Sequence, residues 1–343
     1  MFINEISLLC EHGTYPWDTR SLMIAPESAQ PPGQARDLRL AALALWGFVR
    51  SGAFLSSGKE WRRMFMSAKW LAVGHLGVEE VVLPFEGMRL IARTGDHFVG
   101  CRVYMDGHFG RNEFQKALAL AREAGFFGGT PPVFVDVGAN IGTHTLYALG
   151  SGLFSRVLSV EPSAENYAHL CRNLAINGFP TTDAVRAAFS STAGVGELAL
   201  SGLNFGDHRV VRGEGDRDAA RPVEQIELVD LPRLSQRAQL GPDTRFMFWI
   251  DTQGHEYEVL SGVPPAQLSQ SVFAIEYWPQ LLQRNGTLDA LHALVTQTAD
   301  RIIVLQDGRR LRSTADLDAL AKELLRKPGE EGQLDLLFLG SRV

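Results

Sequence analysis

Four acids in this 343-residue chain each stand at the end of an apolar run: Asp136 in Val133-Phe-Val-Asp-Val137, Glu161 after Val157-Leu-Ser-Val160, Asp251 after Phe246-Met-Phe-Trp-Ile250, and Glu276 after Val272-Phe-Ala-Ile275. Such runs read as buried parallel strands. Ligands of open α/β sheets bind beyond the carboxyl ends of the strands, so the acids point at one site. Directly after Asp136 comes a glycine-rich turn, Gly138-Ala-Asn-Ile-Gly142, and then a helix-starting Thr143. Against the dinucleotide fingerprint Gly-x-Gly-x-x-Gly, Asn140 replaces the second glycine and Thr143 the last. The second glycine normally lets the backbone approach a pyrophosphate. A carboxylate at Asp136 also opposes a diphosphate unless a cation intervenes.

A cationic ligand reverses that conflict. S-adenosylmethionine carries an α-ammonium and a sulfonium and no phosphate. Asp136 can draw the ammonium in, Gly138 allows close approach of the backbone, and the first helical amides near Gly142, Thr143 and His144 remain for the ligand carboxylate. Glu161 stands where an acid can accept both ribose hydroxyls, an arrangement that NAD sites share. Plainer readings compete at each position: Asp136 as a turn cap, Glu161 as a solvated strand end, Asn140 as a turn residue.

Methyl transfer from a sulfonium to an alcohol needs alignment and a proton acceptor. Asp251 and His255 are the candidates, His255 at the start of the helix after strand 4, where the helix N-terminus favours a neutral ring. Glu256 reads as a first-turn residue facing the helix dipole. Glu276 is a third rim acid and a candidate substrate contact. Asp207, His208 and Arg209, in a glycine-containing stretch, are candidates to close over the substrate, with His208 as a further catalytic candidate. Asp251, Glu276 and His255 could also bind a divalent metal that acidifies a substrate hydroxyl, but no compact metal-ligand spacing joins them and no metal is expected.

The elements that must position these groups alternate as in a βαβ sheet. Strands are expected near 132–137, 156–161, 184–188, 246–250, 272–276, 301–305 and 335–339, with helices near 142–149, 163–177, 254–260, 287–298 and 314–326. Two more β-like runs, 196–200 and 223–228, flank a polar stretch at 201–222 whose length suggests function or disorder. Ahead of the sheet, 78–84 and 88–92 read as a hairpin turning at Phe85-Glu-Gly87, 99–105 as a strand, and 112–124 as a helix. Residues 23–36 read as a loop, and 37–50 and 59–73 as helices. This divides the chain into a mainly helical N-terminal extension, 1–77, and a domain over 78–343, of which 78–130 is a hairpin and helix lead-in.

Composition narrows the partners. Hydrophobic residues at 45% and charged residues at 21% suit a soluble globular chain with a sizeable core. A net charge of −6 argues against nucleic acid as a partner. Three widely spaced cysteines suggest neither a disulfide framework nor a thiolate zinc site, and fit the cytoplasm. The most apolar helix-like run, 40–49, is far short of the ~20 residues that span a bilayer, and no signal-peptide pattern opens the chain.

The motifs together resemble one family. Phe134-Val-Asp-Val-Gly-Ala-Asn-Ile-Gly142, Val160-Glu-Pro162, Asn173-Leu-Ala-Ile-Asn177, Ile250-Asp-Thr-Gln-Gly-His-Glu256 and Glu276-Tyr-Trp-Pro279 are similar, in order, to those of FkbM-family S-adenosylmethionine-dependent methyltransferases. The resemblance implies an α/β class I methyltransferase fold, a Rossmann-like seven-stranded and mostly parallel sheet with helices on both faces. It implies methylation of a hydroxyl on a sugar, polyketide or other small metabolite. By position, Asp136, Gly138, Asn140, Gly142 and Thr143 would hold the methionine portion, Glu161 the ribose, and Ala188 and Phe189 would lie near the adenine, with Asp251 at the reacting end. A homodimer is left open. The competing readings are a nicotinamide-dependent oxidoreductase and a noncatalytic protein that keeps the pocket.

Overall fold

The structure, a computed structural model, describes residues 58–201, 208–211 and 221–343. The expected loop at 23–36 and helix at 37–50 lie outside these. The first described element is α1 (Gly58–His75). A hairpin follows, β1 (Glu80–Phe85) and β2 (Met88–Arg93), with Glu86 and Gly87 both at positive φ in its two-residue turn. Helices α2 (Val99–Asp106) and α3 (Arg111–Glu123) lead into the main sheet.

The run 99–105, expected as a strand, is helical, and Asp96 is the reason. Its buried carboxylate accepts from the amides of Phe98 (2.9 Å), Val99 (3.1 Å) and Gly100 (3.0 Å). Those amides are ones that a first helical turn leaves without partners. The apolar content of Val99–Met105 suits a strand, but the cap decides. Trp70 of α1 packs against this turn and donates to the Asp96 carbonyl at 3.0 Å.

The main sheet is built from β3 (Val133–Val137), α4 (Thr143–Ser151), β4 (Arg156–Val160), α5 (Ala164–Ile176) and the two-residue β5 (Ala184–Val185). The chain then leaves it for a smaller four-stranded sheet: β6 (Ala188–Phe189), β7 (Gly194–Ala199), β8 (Arg209–Val210) and β9 (Val223–Val229). It returns through α6 (Leu231–Arg237) to β10 (Phe246–Ile250), α7 (Glu256–Ser261), α8 (Pro265–Gln270) and β11 (Val272–Tyr277). The rest is α9 (Pro279–Arg284), α10 (Leu288–Thr298), β12 (Ala299–Val304), β13 (Arg310–Leu311), α11 (Thr314–Leu324) and β14 (Leu334–Gly340).

The strand order is β13-β12-β14-β11-β10-β3-β4-β5. Strands β5, β4, β3, β10 and β11 run parallel, and β14 runs antiparallel between β11 and β12. Seven strands follow the expected arrangement, and the eighth, β13, folds back on β12 as an edge pair. From β3 the chain winds outward to β4 and β5, then returns to lay β10 on the other side of β3. The order therefore reverses between β3 and β10, the place where ligands of such sheets bind.

Both faces of the sheet are covered, which is why its strands read as continuous apolar runs. Val133, Val135 and Val137 pack on one face with Phe248 and Ile250, while Phe134 packs on the other with Met247 and Trp249. Alternation then puts Asp136 on the Phe134 side, toward α4, and the parallel register pairs it with Trp249 and Ser159. Among the described residues, no helix is long and apolar enough to cross a membrane.

Candidate functional site

The glycine turn closes on itself. The amides of Gly138 (2.9 Å) and Ala139 (3.1 Å) both donate to the Val160 carbonyl, and that of Gly142 donates to the Ala139 carbonyl at 2.8 Å. The Asn140 amide donates to Glu161 Oε2 at 2.8 Å. Four amides that a phosphate-binding loop would offer are thus directed at the protein. Gly138, Asn140 and Gly142 all take positive φ. At Gly138 a side chain would run into the Asp251 carbonyl, and at Gly142 it would come within 2.7 Å of Leu170. The glycines are needed for chain-on-chain packing, a reason distinct from ligand approach.

Asp136 is buried, and its Oδ2 accepts from Thr145 Oγ at 2.5 Å; Thr145 also meets Ser159 Oγ at 2.8 Å. Burial pushes its carboxyl up to about 7, against the lowering effect of the Thr145 hydrogen bonds. Glu161, also buried, receives Asn140 on Oε2 and Ser163 (2.8 Å) on Oε1. Burial again dominates and pushes it up to about 7. The Asn140 side-chain Oδ1 is buried with no partner. An orphaned acceptor beside two carboxylates, with the loop amides spent, fits a ligand rich in donors, such as an ammonium or ribose hydroxyls. It does not fit a pyrophosphate.

Across the switch point the acids continue as a row. Ile250 pairs with Ile275, so Asp251 follows beside Glu276, and Glu276 pairs with Asp335 of β14. Burial, then the charge of Asp251 and a hydrogen bond to it, hold Glu276 well above the usual carboxylate range. Asp335 is pushed up to about 7, by burial and then by Asp251. Gln253 Nε2 bridges the pair, donating to Asp251 Oδ1 (2.9 Å) and Glu276 Oε2 (2.7 Å). Among the described residues, no group of three or more His, Cys, Asp and Glu side chains has the geometry to hold a metal ion.

His255 is buried at the start of α7, with Nε2 at 3.1 Å from Ser190 Oγ and Nδ1 at 3.6 Å from Glu258 Oε2. Glu256 closes the preceding turn, with Oε1 accepting from Thr252 N (3.3 Å), Thr252 Oγ (3.1 Å) and Gly254 N (3.0 Å). His255 also lines a cleft with the 252–254 turn, Arg209, Arg221, Arg284 and Asn285.

The remaining sequence candidates are scattered. His208 is turned to the backbone, its Nδ1 accepting from the Ser201 amide at 3.0 Å, whereas Arg209 lines the cleft. Asp207 lies outside the described residues. Phe189 is buried edge-on to Phe248, and Ala188 packs beside Leu198 and Ile226, so both side chains are occupied in packing. Thr143 is buried at the first turn of α4. His144 stacks on Trp249 at 4.3 Å, and burial pushes its ring down to about 3. Sequence reasoning passed over Thr145, Ser190, Gln253 and Glu258. Only Gln253 carried a signal, as a polar residue inside the Asp251–Glu256 turn.

The strand order and the switch-point turn are those of a Rossmann-like class I methyltransferase fold. Residues 136–288 match the family model described as the methyltransferase FkbM domain. No curated protein matches the sequence. Among solved structures, the ribosomal protein L11 methylase of Lactobacillus delbrueckii subsp. bulgaricus is 12% identical, covering 68% of this chain and 82% of that one, with a TM-score of 0.31. A putative O-methyltransferase from Klebsiella pneumoniae is 12% identical over 68% of this chain and 83% of that one, with a TM-score of 0.29. Geranyl diphosphate C-methyltransferase from Streptomyces coelicolor A3(2), in complex with Mg2+, geranyl-S-thiolodiphosphate and S-adenosyl-L-homocysteine, is 12% identical over 84% of this chain and 99% of that one, with a TM-score of 0.34.

Proposed function

We propose that the chain methylates a hydroxyl oxygen of a small metabolite, such as a sugar or polyketide, in the cytoplasm. The observation that carries the choice of oxygen is His255, which lines the cleft with Glu258 beside Nδ1 and Ser190 at Nε2. An alcohol must lose a proton as its oxygen is alkylated, and an imidazole is suited to take it. Bound S-adenosylmethionine supplies the activated methyl group. Asp136, Asn140 and Glu161 would hold its amino-acid and ribose portions, with Gly138, Gly142 and Thr143 shaping the turn. Ala188 and Phe189 would border the adenine. Asp251 and Glu276, joined through Gln253, would shape the reacting end. The loop amides already committed within the protein weigh against a nicotinamide dinucleotide.

In single-turnover reactions with an accepted substrate, His255→Asn should slow methyl transfer by about 100-fold or more. Its affinity for S-adenosylhomocysteine should stay within about twofold of wild type. An unchanged rate would remove His255 from the role of base, and with it the argument for oxygen.

A further inference from the structure

The amino-acid end of S-adenosylmethionine needs a partner for its carboxylate as well as one for its ammonium. Of the amides at the start of α4, where the sequence places the carboxylate, those of Gly142 and Thr145 are committed, to the Ala139 carbonyl and to Asp136. A second helix begins against this turn. α3 starts at Arg111 behind Gly110, which takes a φ of 64° and has no side chain to offer the first amides. His144, in the first turn of α4, points at that start, since a side chain on Gly110 would come within 2.8 Å of its Nε2. The Phe109 amide ties the same segment to α4 by donating to the Tyr147 hydroxyl at 3.1 Å. Glu113, the acid in the first turn of α3, bears on Asp335 of β14. The start of α3 therefore lies over the strand ends, beside the cofactor groove.

Nitrogens are left over at this junction. His144 is only 7% exposed, and its Nε2 has no hydrogen-bond partner among the described residues. Nor have His108 Nδ1 and Arg111 Nε, both buried where the chain enters α3. Arg111 spends its Nη1 on Glu86, at 3.2 Å, and its Nε–H can only donate. Burial keeps the His144 ring neutral, so it still has one N–H to give. Buried polar atoms without partners call for a group from outside the chain. A carboxylate only accepts, and a helix N-terminus favours its charge. We infer that the start of α3 is the carboxylate site of the cofactor, with Arg111, His108 and His144 as donors. The amino-acid end is then read at both charges from one turn of α4. Thr145 holds Asp136, which draws the ammonium, and His144 beside it faces the carboxylate. The inference rests on S-adenosylmethionine being the cofactor.

The test is calorimetric titration of the full-length protein with S-adenosylhomocysteine and with S-adenosyl-3-thiopropylamine, the same molecule without its carboxylate. Wild type should prefer the first by about 30-fold or more. In Arg111→Gln and in His144→Phe this preference should shrink by about fivefold or more, while affinity for the second ligand stays within about twofold of wild type. Phenylalanine keeps the stack of residue 144 on Trp249, and the Arg111 side chain is 40% exposed, so both variants are expected to fold. A merely structural role would weaken both ligands alike. Equal weakening, a smaller shrinkage in either variant, or no preference in wild type overturns the inference and leaves the cofactor reading in place. Failure of wild type to bind S-adenosylhomocysteine at all sinks both.

Discussion

Asp136 and Glu161 are acids that burial has moved from ordinary values of 3.8 and 4.5 up to about 7. A raised folded-state value means that, between the unfolded and folded values, the folded chain holds protons the unfolded chain has released. Stability therefore falls as pH rises through that interval, and levels off above it. Glutamine at 161 does not titrate, so the stability of wild type relative to Glu161→Gln should decline between pH 4.5 and 7. Urea unfolding across that range checks this, and a flat difference would mean that Glu161 is not buried in solution. A ligand whose hydroxyls donate to Glu161 prefers the ionised form. S-adenosylhomocysteine affinity should therefore rise between about pH 6 and 8 by up to about tenfold, and this rise should be smaller in Glu161→Gln. At this scale the sequence was legible for the acids, because each interrupts an apolar run. It was silent on Thr145, Ser190 and Glu258, whose partners are fixed by neighbours distant in the chain or by helix geometry.

At the scale of elements, the run Asn173–Asn177 has a physical meaning that the sequence did not disclose. The two asparagines lie one turn apart, Asn173 on α5 and Asn177 capping its C-terminus, and act as a strand would toward the edge of β2. Asn173 accepts from the Ile91 amide (2.6 Å) and donates to the carbonyls of Ile91 (3.1 Å) and Ile141 (2.9 Å). Asn177 exchanges the same pair of bonds with Arg89, at 2.9 and 2.7 Å. Asn173 therefore ties the lead-in hairpin and the glycine turn to a single side chain. Asn173→Leu, similar in volume, would strand three buried backbone groups and should cost about 3 kcal/mol. The measurement is a denaturant midpoint, with S-adenosylhomocysteine affinity expected to fall alongside it. The long apolar strands were readable from pattern because burial on both faces imposes one. The short helices α6, α8 and α9 were missed. Each has proline in its first turn, a start signal, but each is too short to show helical periodicity.

At the scale of the whole molecule, the two halves of the sheet meet where Gly138 lies against the Asp251 carbonyl. A methyl group there would have to push the β3 turn away from the β10 turn, and alanine would also be strained at the positive φ of Gly138. Gly138→Ala should cost about 2–4 kcal/mol and weaken S-adenosylhomocysteine binding, even though that residue's side chain need never touch the ligand. Thermal unfolding with and without S-adenosylhomocysteine reads both effects. The sequence by itself determined the layered α/β sheet, the order of its main elements and the acidic character of the glycine turn, because periodicity and local turn chemistry are written in neighbouring residues. Only the tertiary structure decided that the turn's amides are spent within the protein, that Glu276 faces Asp251, and that Arg209, Arg221 and Arg284 share a cleft with His255. Each of those depends on register between strands and on the packing of segments far apart in the chain, which no local pattern specifies.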